Sequence, residues 1–288
     1  MVRYYPALLL LSLAVACKKT DDVPAYVEVG SVTLSTTASE QGASTSKITD
    51  AWISLNGRSL GVWELPARVP VLATGQQTLE IVPAIKRNGL FDDRLRYPFY
   101  AAWTSTIALE PEQTMELAPT VTYIPQTRFW IEDFLDPFSR LDETEDSDTT
   151  LLRFTPADDP DVIFVDNTPC AGFRLTPARP RVRVFSDEDF DSYGGPAFLE
   201  MDHRNDVFIT VGVIYSADGG TFSAPLVDIV PTKRSNGSMP WSKIHIDLSP
   251  MFNAAVAQRD FYIEAVLPNG QASGEVYFDN IKLLRVDQ

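Results

Sequence analysis

Short runs in which apolar and polar residues alternate dominate the chain. In AYVEVGSVTL, Val27 and Val29 stand two residues apart with a polar residue between them. The same period returns far along the chain in PWSKIHIDLSP, at Ile244, Ile246 and Leu248. A spacing of two places side chains on one face of a β-strand. With 21 prolines and few long helical patterns, the sequence predicts an all-β fold.

The segment PWSKIHIDLSP also predicts the orientation of its polar residues. If the isoleucines face a core, Lys243, His245 and Asp247 point to the opposite side of the strand. On that basis we expect His245 to meet water beside Lys243.

Two tight turns are marked by residues that accept positive φ. Asn56-Gly57 between alternating segments is a strong signal for a two-residue hairpin. Further on, Ser216, Asp218 and Gly220 match S-x-D-x-G. That segment resembles the Asp-box hairpin, in which the turn is mostly structural.

The N-terminal part of the mature chain carries a second set of motifs. Residues 48–83 run as a strand, the Asn-Gly turn, a short strand, prolines, a glycine and another strand. This order resembles PEGA-like small β-sandwich modules, which carry no catalytic residues. The segments VPAYVEV, ITDAWISLNG and YPFY also resemble a family of Bacteroidota lipoproteins. We therefore expect an Ig- or PEGA-like β-sandwich domain over residues 25–125.

The remaining chain, residues 126–288, opens with RFWIEDFLDPF and closes with GEVYFDNIKLLRV. That pairing resembles the galactose-binding-like jelly rolls, which include many carbohydrate-binding modules. The resemblance implies a jelly-roll β-sandwich as the second domain and a glycan as the ligand class. It argues for a fold more than for a ligand, since function lies in sites grafted onto folds.

The first residues have the features of a secretory targeting signal. Residues 7–16 form an apolar stretch that is too short to span a membrane as a helix. A basic start, a short apolar core and small residues before a cut site are typical of a secretory signal, here residues 1–16. Ala-Val-Ala before Cys17 resembles the bacterial lipobox, which implies lipidation of that sulfur. Each buried methylene contributes about 0.8 kcal/mol, so several acyl chains anchor a protein firmly.

Residues 17–24 would then form a lipidated tether. Its KKTDD segment resembles the signals that send Bacteroidota lipoproteins to the cell surface, and a plain periplasmic tether is the alternative. The resemblance implies an outer-membrane lipoprotein of a Gram-negative bacterium, facing the cell surface.

The net charge limits the classes of binding partner, and the number of cysteines limits the possible disulfide bonds. The chain has 24 Lys and Arg against 39 Asp and Glu, and removing residues 1–16 takes away only Arg3, so the mature charge is 23 − 39 = −16. Because affinity for nucleic acid rests largely on basic residues, nucleic acid is excluded as a partner. With Cys17 lipidated, Cys170 has no partner for a disulfide within the chain, and we expect it to be a buried apolar residue.

Two groups of aromatic residues are candidate binding residues. In YPFYAAW, four aromatic side chains form either an exposed platform for a partner or part of the core. These are Tyr97, Phe99, Tyr100 and Trp103. In the second domain, a sugar groove could be lined by Tyr193, Tyr215 and Trp241, with the core as the alternative for Trp241.

Metal binding has one candidate. Jelly rolls of the group named above often hold a structural calcium near their first and last strands, and Asp133 and Asp279 stand at the matching positions. Those jelly rolls often begin with an EDFE-like strand, and Leu135 replaces the last acid of that motif here, although Asp136 follows. Zinc is excluded because its sites require clusters of His and Cys, and the chain has two histidines, far apart.

No motif in the sequence indicates a catalytic function. No G-x-S-x-G elbow is present, and with 39 acidic residues some pair of carboxylates is always available, so their number decides nothing. We expect a non-catalytic protein. Its function is either glycan recognition or docking on an outer-membrane barrel, transporter or secretion complex, and the sequence alone leaves both open.

Overall fold

The structure, a computed structural model, describes residues 23–164, 166–191 and 194–286. The predictions for Cys17 and Tyr193 lie outside these residues. Within them, strands make up nearly all regular structure, and the helices are two single turns, α1 (Ala38–Gln41) and α2 (Ser249–Phe252). The predicted all-β class is confirmed. No helix in the described part of the chain has the length and apolarity needed to cross a bilayer.

The N-terminal sandwich is built from ten short strands. They are β1 (Ala25–Val29), β2 (Thr33–Leu34), β3 (Asp50–Leu55), β4 (Arg58–Glu64), β5 (Ala67–Val71), β6 (Gly75–Lys86), β7 (Arg94–Arg96), β8 (Trp103–Leu109), β9 (Thr114–Leu117) and β10 (Thr120–Val121). One sheet has the order β5-β1-β9, and β10 pairs with β2. A second sheet has the order β4-β3-β6-β7, with β8 also on β6.

The predicted Asn-Gly hairpin joins β3 to β4. Asn56 and Gly57 have φ of 49° and 76°, and Leu55 pairs with Arg58 across the turn. Positive φ at both central residues gives the twist that matches two antiparallel strands. The alternation predicted for β1 is also present, since Val27 and Val29 are fully buried.

The C-terminal sandwich contains eleven further strands in the described residues. They are β11 (Thr127–Glu132), β12 (Leu141–Glu143), β13 (Leu152–Phe154), β14 (Cys170–Leu175), β15 (Arg181–Ser186), β16 (Ala197–Asn205), β17 (Ile209–Ala217), β18 (Gly220–Ile229), β19 (Ser242–Asp247), β20 (Arg259–Val266) and β21 (Gly274–Val286). One sheet has the order β13-β14-β21-β16-β19, with β11 also on β21, and the facing sheet has the order β12-β15-β20-β17-β18.

The core between these two sheets is apolar. Ile244, Ile246 and Leu248 point into it, as the alternation of their segment predicts. Cys170 is fully buried, and burial raises the pKa of its thiol to about 12. The thiol is therefore an inert packing group at neutral pH, as expected from the sequence.

The two sandwiches pack against each other through the outer face of the β16–β21 sheet. Phe198 and Leu284 point away from the C-terminal core and join the apolar core of the N-terminal sandwich. The ring of Phe198 lies 5.3 Å from that of Tyr97 and 6.0 Å from that of Phe99. The face of the C-terminal sheet that would otherwise meet water is thus covered by the N-terminal half of the chain.

Candidate functional site

Strand β19 is the edge of its sheet, and the hairpin between β6 and β7 lies against it. The backbone N–H of Asn88 donates to the His245 carbonyl at 2.9 Å. The Asn88 side-chain oxygen accepts from the Asp247 N–H at 2.8 Å. Asn88 reaches this position with φ of 56°, a conformation that asparagine tolerates better than most residues. The edge strand is therefore fixed to the N-terminal sandwich.

Inward from this edge, the two sandwiches bury a polar cluster. We call it the Glu200 cluster, and its members are Tyr97, Tyr100, Tyr123, Glu200, Lys243, His245 and Lys282. Tyr97 and Tyr123 each donate a hydroxyl hydrogen bond of 2.9 Å to the Glu200 carboxylate. Lys243 approaches the same carboxylate at 3.7 Å.

Electrostatics within the cluster follows from its burial. Burial alone would raise the pKa of Glu200, but the charges of Lys243 and Lys282 outweigh it, and the pKa lies below its usual value. Burial lowers the pKa of Lys282 to about 8 and that of His245 to about 4. Glu200 is therefore ionised and His245 neutral at neutral pH, with the Tyr100 hydroxyl 3.3 Å from the His245 ring nitrogen.

These positions correct one expectation from the sequence and decide between two alternatives that it left open. His245 does not meet water and Lys243 is 95% buried, because the N-terminal sandwich covers their side of the sheet. Tyr97, Phe99 and Tyr100 do not form an exposed platform, since each is at least 96% buried at the contact of the two sandwiches. Trp103, on β8, is half-buried against the N-terminal core. Of the two alternatives for this segment, the core is the one that the structure shows.

Next to the Glu200 cluster, the contact between the two sandwiches widens into a groove. Lys243 donates to the Thr45 hydroxyl at 3.0 Å, and Thr45 donates to the Asp202 carboxylate at 2.7 Å. Past this link lie two clefts of about 410 and 390 Å³, which share Lys47, Trp241, Ser242 and Lys243. We call them together the interdomain groove. Its other lining residues include Thr45, Asn88, Leu90, Phe164, Asp202, His203, Asp228, Val230, Thr232 and Arg234.

Trp241 stands where the two clefts meet. Its indole N–H donates to the Val162 carbonyl at 3.2 Å, and its ring meets Phe164 edge-to-face at 5.2 Å. The side chain is half-buried, so these contacts fix the ring while part of its surface remains open to the groove.

His203 offers the groove a hydrogen-bond acceptor. Its Nδ1 lies 3.0 Å from the Asn205 side-chain oxygen, and the Asn205 amide group donates to the Val207 carbonyl at 2.7 Å. Since the Asn205 oxygen can only accept, Nδ1 carries the proton and Nε2 keeps its lone pair. Burial lowers the pKa of His203 to about 4, which keeps the ring neutral at neutral pH.

Of the two predicted sugar-binding residues that the structure describes, Trp241 lies in the groove and Tyr215 does not. Tyr215 packs beside the C-terminal core and stacks on Phe222 at 5.8 Å, at the end of the β17–β18 hairpin. It lines neither cleft. That hairpin turns at Asp218 and Gly219, both with positive φ.

The two residues predicted to bind calcium, Asp133 and Asp279, lie in different surroundings. Asp279 is fully buried, and burial raises the pKa of its carboxyl to about 9. Asp133 accepts from the Leu135 N–H at 3.2 Å. In the described part of the chain, no three His, Cys, Asp or Glu side chains gather as a metal site requires. Calcium at Asp133 and Asp279 stays a prediction.

The residues that sequence reasoning missed are Lys47, His203 and Glu200. Lys47 ends a loop with no motif, and His203 and Glu200 lie within a strand that carries no recognisable signal. The chain brings Lys243 to Thr45 across 198 positions of sequence. No local pattern indicates such a contact.

Comparison with known proteins adds structural neighbours only. No family model matches the chain, and no curated protein matches it. A carbohydrate-binding module of family 28, specific for non-crystalline cellulose, is 13% identical, covering 55% of this chain and 92% of its own, with a TM-score of 0.37. The module CBM27-1 of Caldicellulosiruptor saccharolyticus, solved with mannohexaose, is 14% identical, covering 54% and 96%, with a TM-score of 0.36.

A third neighbour is the K3 adhesin domain of Lys-gingipain from Porphyromonas gingivalis. It is 11% identical, covers 55% of this chain and 98% of its own, and has a TM-score of 0.33. Similarities at this level assign neither a family nor a ligand to the chain.

Proposed function

We propose that the chain is a non-catalytic outer-membrane lipoprotein that recognises a glycan in the interdomain groove. The observation that carries the proposal is the half-buried, fixed ring of Trp241 at the meeting point of two clefts. Small-molecule sites are concave, with an apolar or aromatic wall and a few placed polar groups. The groove has that composition.

The groups around Trp241 suit the two faces of a sugar ring. The exposed part of the indole offers an apolar surface for the C–H face of the sugar. Around it, the Lys47 ammonium donates hydrogen bonds, and the His203 Nε2 accepts them. A sugar presents hydroxyl groups that do both. Because the Trp241 ring is already held by Val162 and Phe164, little ordering of the side chain is needed on binding.

The test is binding to an oligosaccharide array by the full chain in mild detergent. Trp241→Ala should weaken binding at least about 30-fold, which corresponds to about 2 kcal/mol. Trp63→Ala is a matched control, since Trp63 is also half-buried and also donates its indole N–H to a backbone carbonyl, that of Leu60 at 3.1 Å. The control should bind as the wild type does. An array without hits, or equal losses in both variants, would contradict the proposal.

A protein partner is the alternative, and one observation favours it. At the rim of the groove, Leu90 and Val230 are 53% and 66% exposed, and Phe91 beside them is 79% exposed. Exposed apolar residues in one area mark contact surfaces. Recovery of one stoichiometric outer-membrane barrel with the tagged chain, lost in Phe91→Ser, would favour docking over glycan recognition.

The membrane anchor rests on the sequence alone. We propose lipidation at Cys17, outer-membrane attachment and exposure at the cell surface. Labelling with palmitate should appear in the wild type and vanish in Cys17→Ser. A wild type that takes up no label would remove the anchor from the proposal.

Glycan recognition without turnover is also testable. Oligosaccharides that bind on the array should remain uncleaved after prolonged incubation with the chain. Appearance of products in the wild type, absent in Trp241→Ala, would make the protein an enzyme.

A further inference from the structure

Three lysines converge on the floor of the interdomain groove. Lys47, Lys86 and Lys243 line one small cavity of about 50 Å³, together with Thr49 and Gly89. The cavity adjoins the cleft beside Trp241, because Lys47 and Lys243 line both spaces. A ligand stacked on Trp241 therefore has this cavity within its reach.

The three ammonium groups differ in their partners. Lys86 pairs with Glu64 at 2.8 Å, and Lys243 lies 3.7 Å from Glu200 and from Asp202. Lys47 instead donates to the Ser242 hydroxyl at 2.9 Å, and no carboxylate of the described residues lies within 4.0 Å of its nitrogen. Partial burial and the charge of Lys86 lower the pKa of Lys47. Burial and the nearby positive charge both disfavour the charged form of Lys47, and an anion beside the ammonium group would stabilise that form.

The charge of the groove is opposite to that of the chain. Among the described residues that line the two clefts and the small cavity, four are basic and two acidic: Lys47, Lys86, Arg234, Lys243, Asp202 and Asp228. The whole chain has 24 basic against 39 acidic residues. The groove thus concentrates positive charge on an acidic protein, and such a cleft focuses the field on an incoming ligand.

We propose that the glycan bound in the interdomain groove carries an anionic substituent, a carboxylate or a sulfate ester, which Lys47 binds. This inference rests on the proposed function and adds the class of sugar. Lys243 and Lys86 line the same cavity but are paired with carboxylates of the chain, so Lys47 is the cation that the anion engages, and Arg234 contributes charge from the rim. A charge-assisted hydrogen bond to an anion is stronger than one between neutral groups, so the substituent favours one class of glycan over its neutral counterpart.

The experiment uses the full chain in mild detergent and an array that places each neutral oligosaccharide beside its uronate and its sulfate ester. Wild-type affinity for an anionic form should exceed that for the neutral form about tenfold, and added salt should reduce the difference. Lys47→Gln should abolish the preference, bringing the affinity for the anionic form down to that for the neutral form in the same variant. The better-bound partner of each trio tells a carboxylate from a sulfate.

A matched control is Lys233→Gln. Lys233 is an exposed lysine that pairs with Asp206 at 3.1 Å and lines neither cleft. It should keep the full preference, which separates the local contact from the loss of one positive charge.

The other possible outcomes contradict either this inference alone or the proposed function as well. If neutral and anionic forms bind equally, or if Lys47→Gln keeps the preference, the inference fails, while Trp241-dependent binding still supports the proposed function. If no oligosaccharide of any kind binds, the proposed function fails and this inference fails with it.

Discussion

The Glu200 cluster and the interdomain groove are two polar regions that meet at strand β19, and they use their polar groups differently. In the cluster, buried groups are bonded to one another across the contact of the two sandwiches. In the groove, Lys47 and His203 each make one side-chain hydrogen bond within the chain and keep capacity for more. Buried polar groups whose bonding is complete hold structure, whereas those that retain capacity at an open cleft are available to a ligand.

Lys243 belongs to both regions and shows how they are joined. Its ammonium group lies 3.7 Å from Glu200 on the cluster side and donates to Thr45 on the groove side. The shape of the groove near Trp241 therefore depends on the packing of the two sandwiches. Three predictions test this contrast, from the largest expected effect to the smallest.

The largest effect is expected for Glu200→Ala. The change removes the acceptor of Tyr97 and Tyr123 and leaves Lys243 and Lys282 buried without their main counter-charge. Breaking a buried ion pair by removing one partner costs about 3–5 kcal/mol. Chemical denaturation should show a loss of that size in the free energy of unfolding.

The control for this change is Glu80→Ala. Glu80 is a half-buried glutamate of β6 that accepts one hydrogen bond, from Ser54 at 3.0 Å, and has no part in the cluster. It should cost about 1 kcal/mol. Equal losses in the two variants would show that the cluster is no more important than an ordinary surface contact.

The second effect is a dependence of stability on pH. The pKa of His245 is about 4 in the folded chain against an ordinary value of 6.5, because burial opposes the charged ring. Between these values the unfolded state binds more protons, so stability rises with pH and is lost as the pH falls. Protonation of His245 therefore removes about 3 kcal/mol of stability between neutral pH and a pH below 4.

His245→Gln should flatten the rise in unfolding free energy between pH 4 and 6.5. Denaturation at a series of pH values measures it. His203 has its pKa shifted in the same direction, so the double variant His203→Gln, His245→Gln should flatten the curve further. A slope that is unchanged in His245→Gln would mean that the ring is charged or solvated in the folded chain.

The smallest effect is expected for Lys47→Gln. Lys47 is only partly buried, keeps an exposed surface and donates to one hydroxyl, so its removal should change the free energy of unfolding by less than about 0.5 kcal/mol. Chemical denaturation checks it. A loss of several kcal/mol would place Lys47 with the groups that hold the structure and not with those that serve a ligand.

The sequence predicts local features of this fold well. The alternation at Ile244 and Ile246, the turn at Asn56-Gly57 and the burial of Cys170 all follow from the residues themselves. Each depends on a few neighbouring positions, on strand periodicity or on the φ that a residue tolerates. For the same reason Trp241 could be named in advance as an aromatic residue of interest.

The other residues of the site are positioned by the packing of one sandwich on the sheet of the other, which the sequence pattern does not reveal. The pattern of β19 shows that Lys243 and His245 lie on one side, but it does not show that another sandwich packs there. Lys282 donates to the Ala43 carbonyl across 239 positions of sequence. Such contacts follow from how the two halves dock, and the same docking buries Tyr97 and creates the groove.

Asn88 has a consequence for the behaviour of the protein in a crowded compartment. An uncovered edge strand offers a row of backbone groups to which a strand of another molecule can add. By bonding to His245 and Asp247, Asn88 occupies part of that row on β19. The hairpin that carries it thereby protects this chain from self-association through its own sheet.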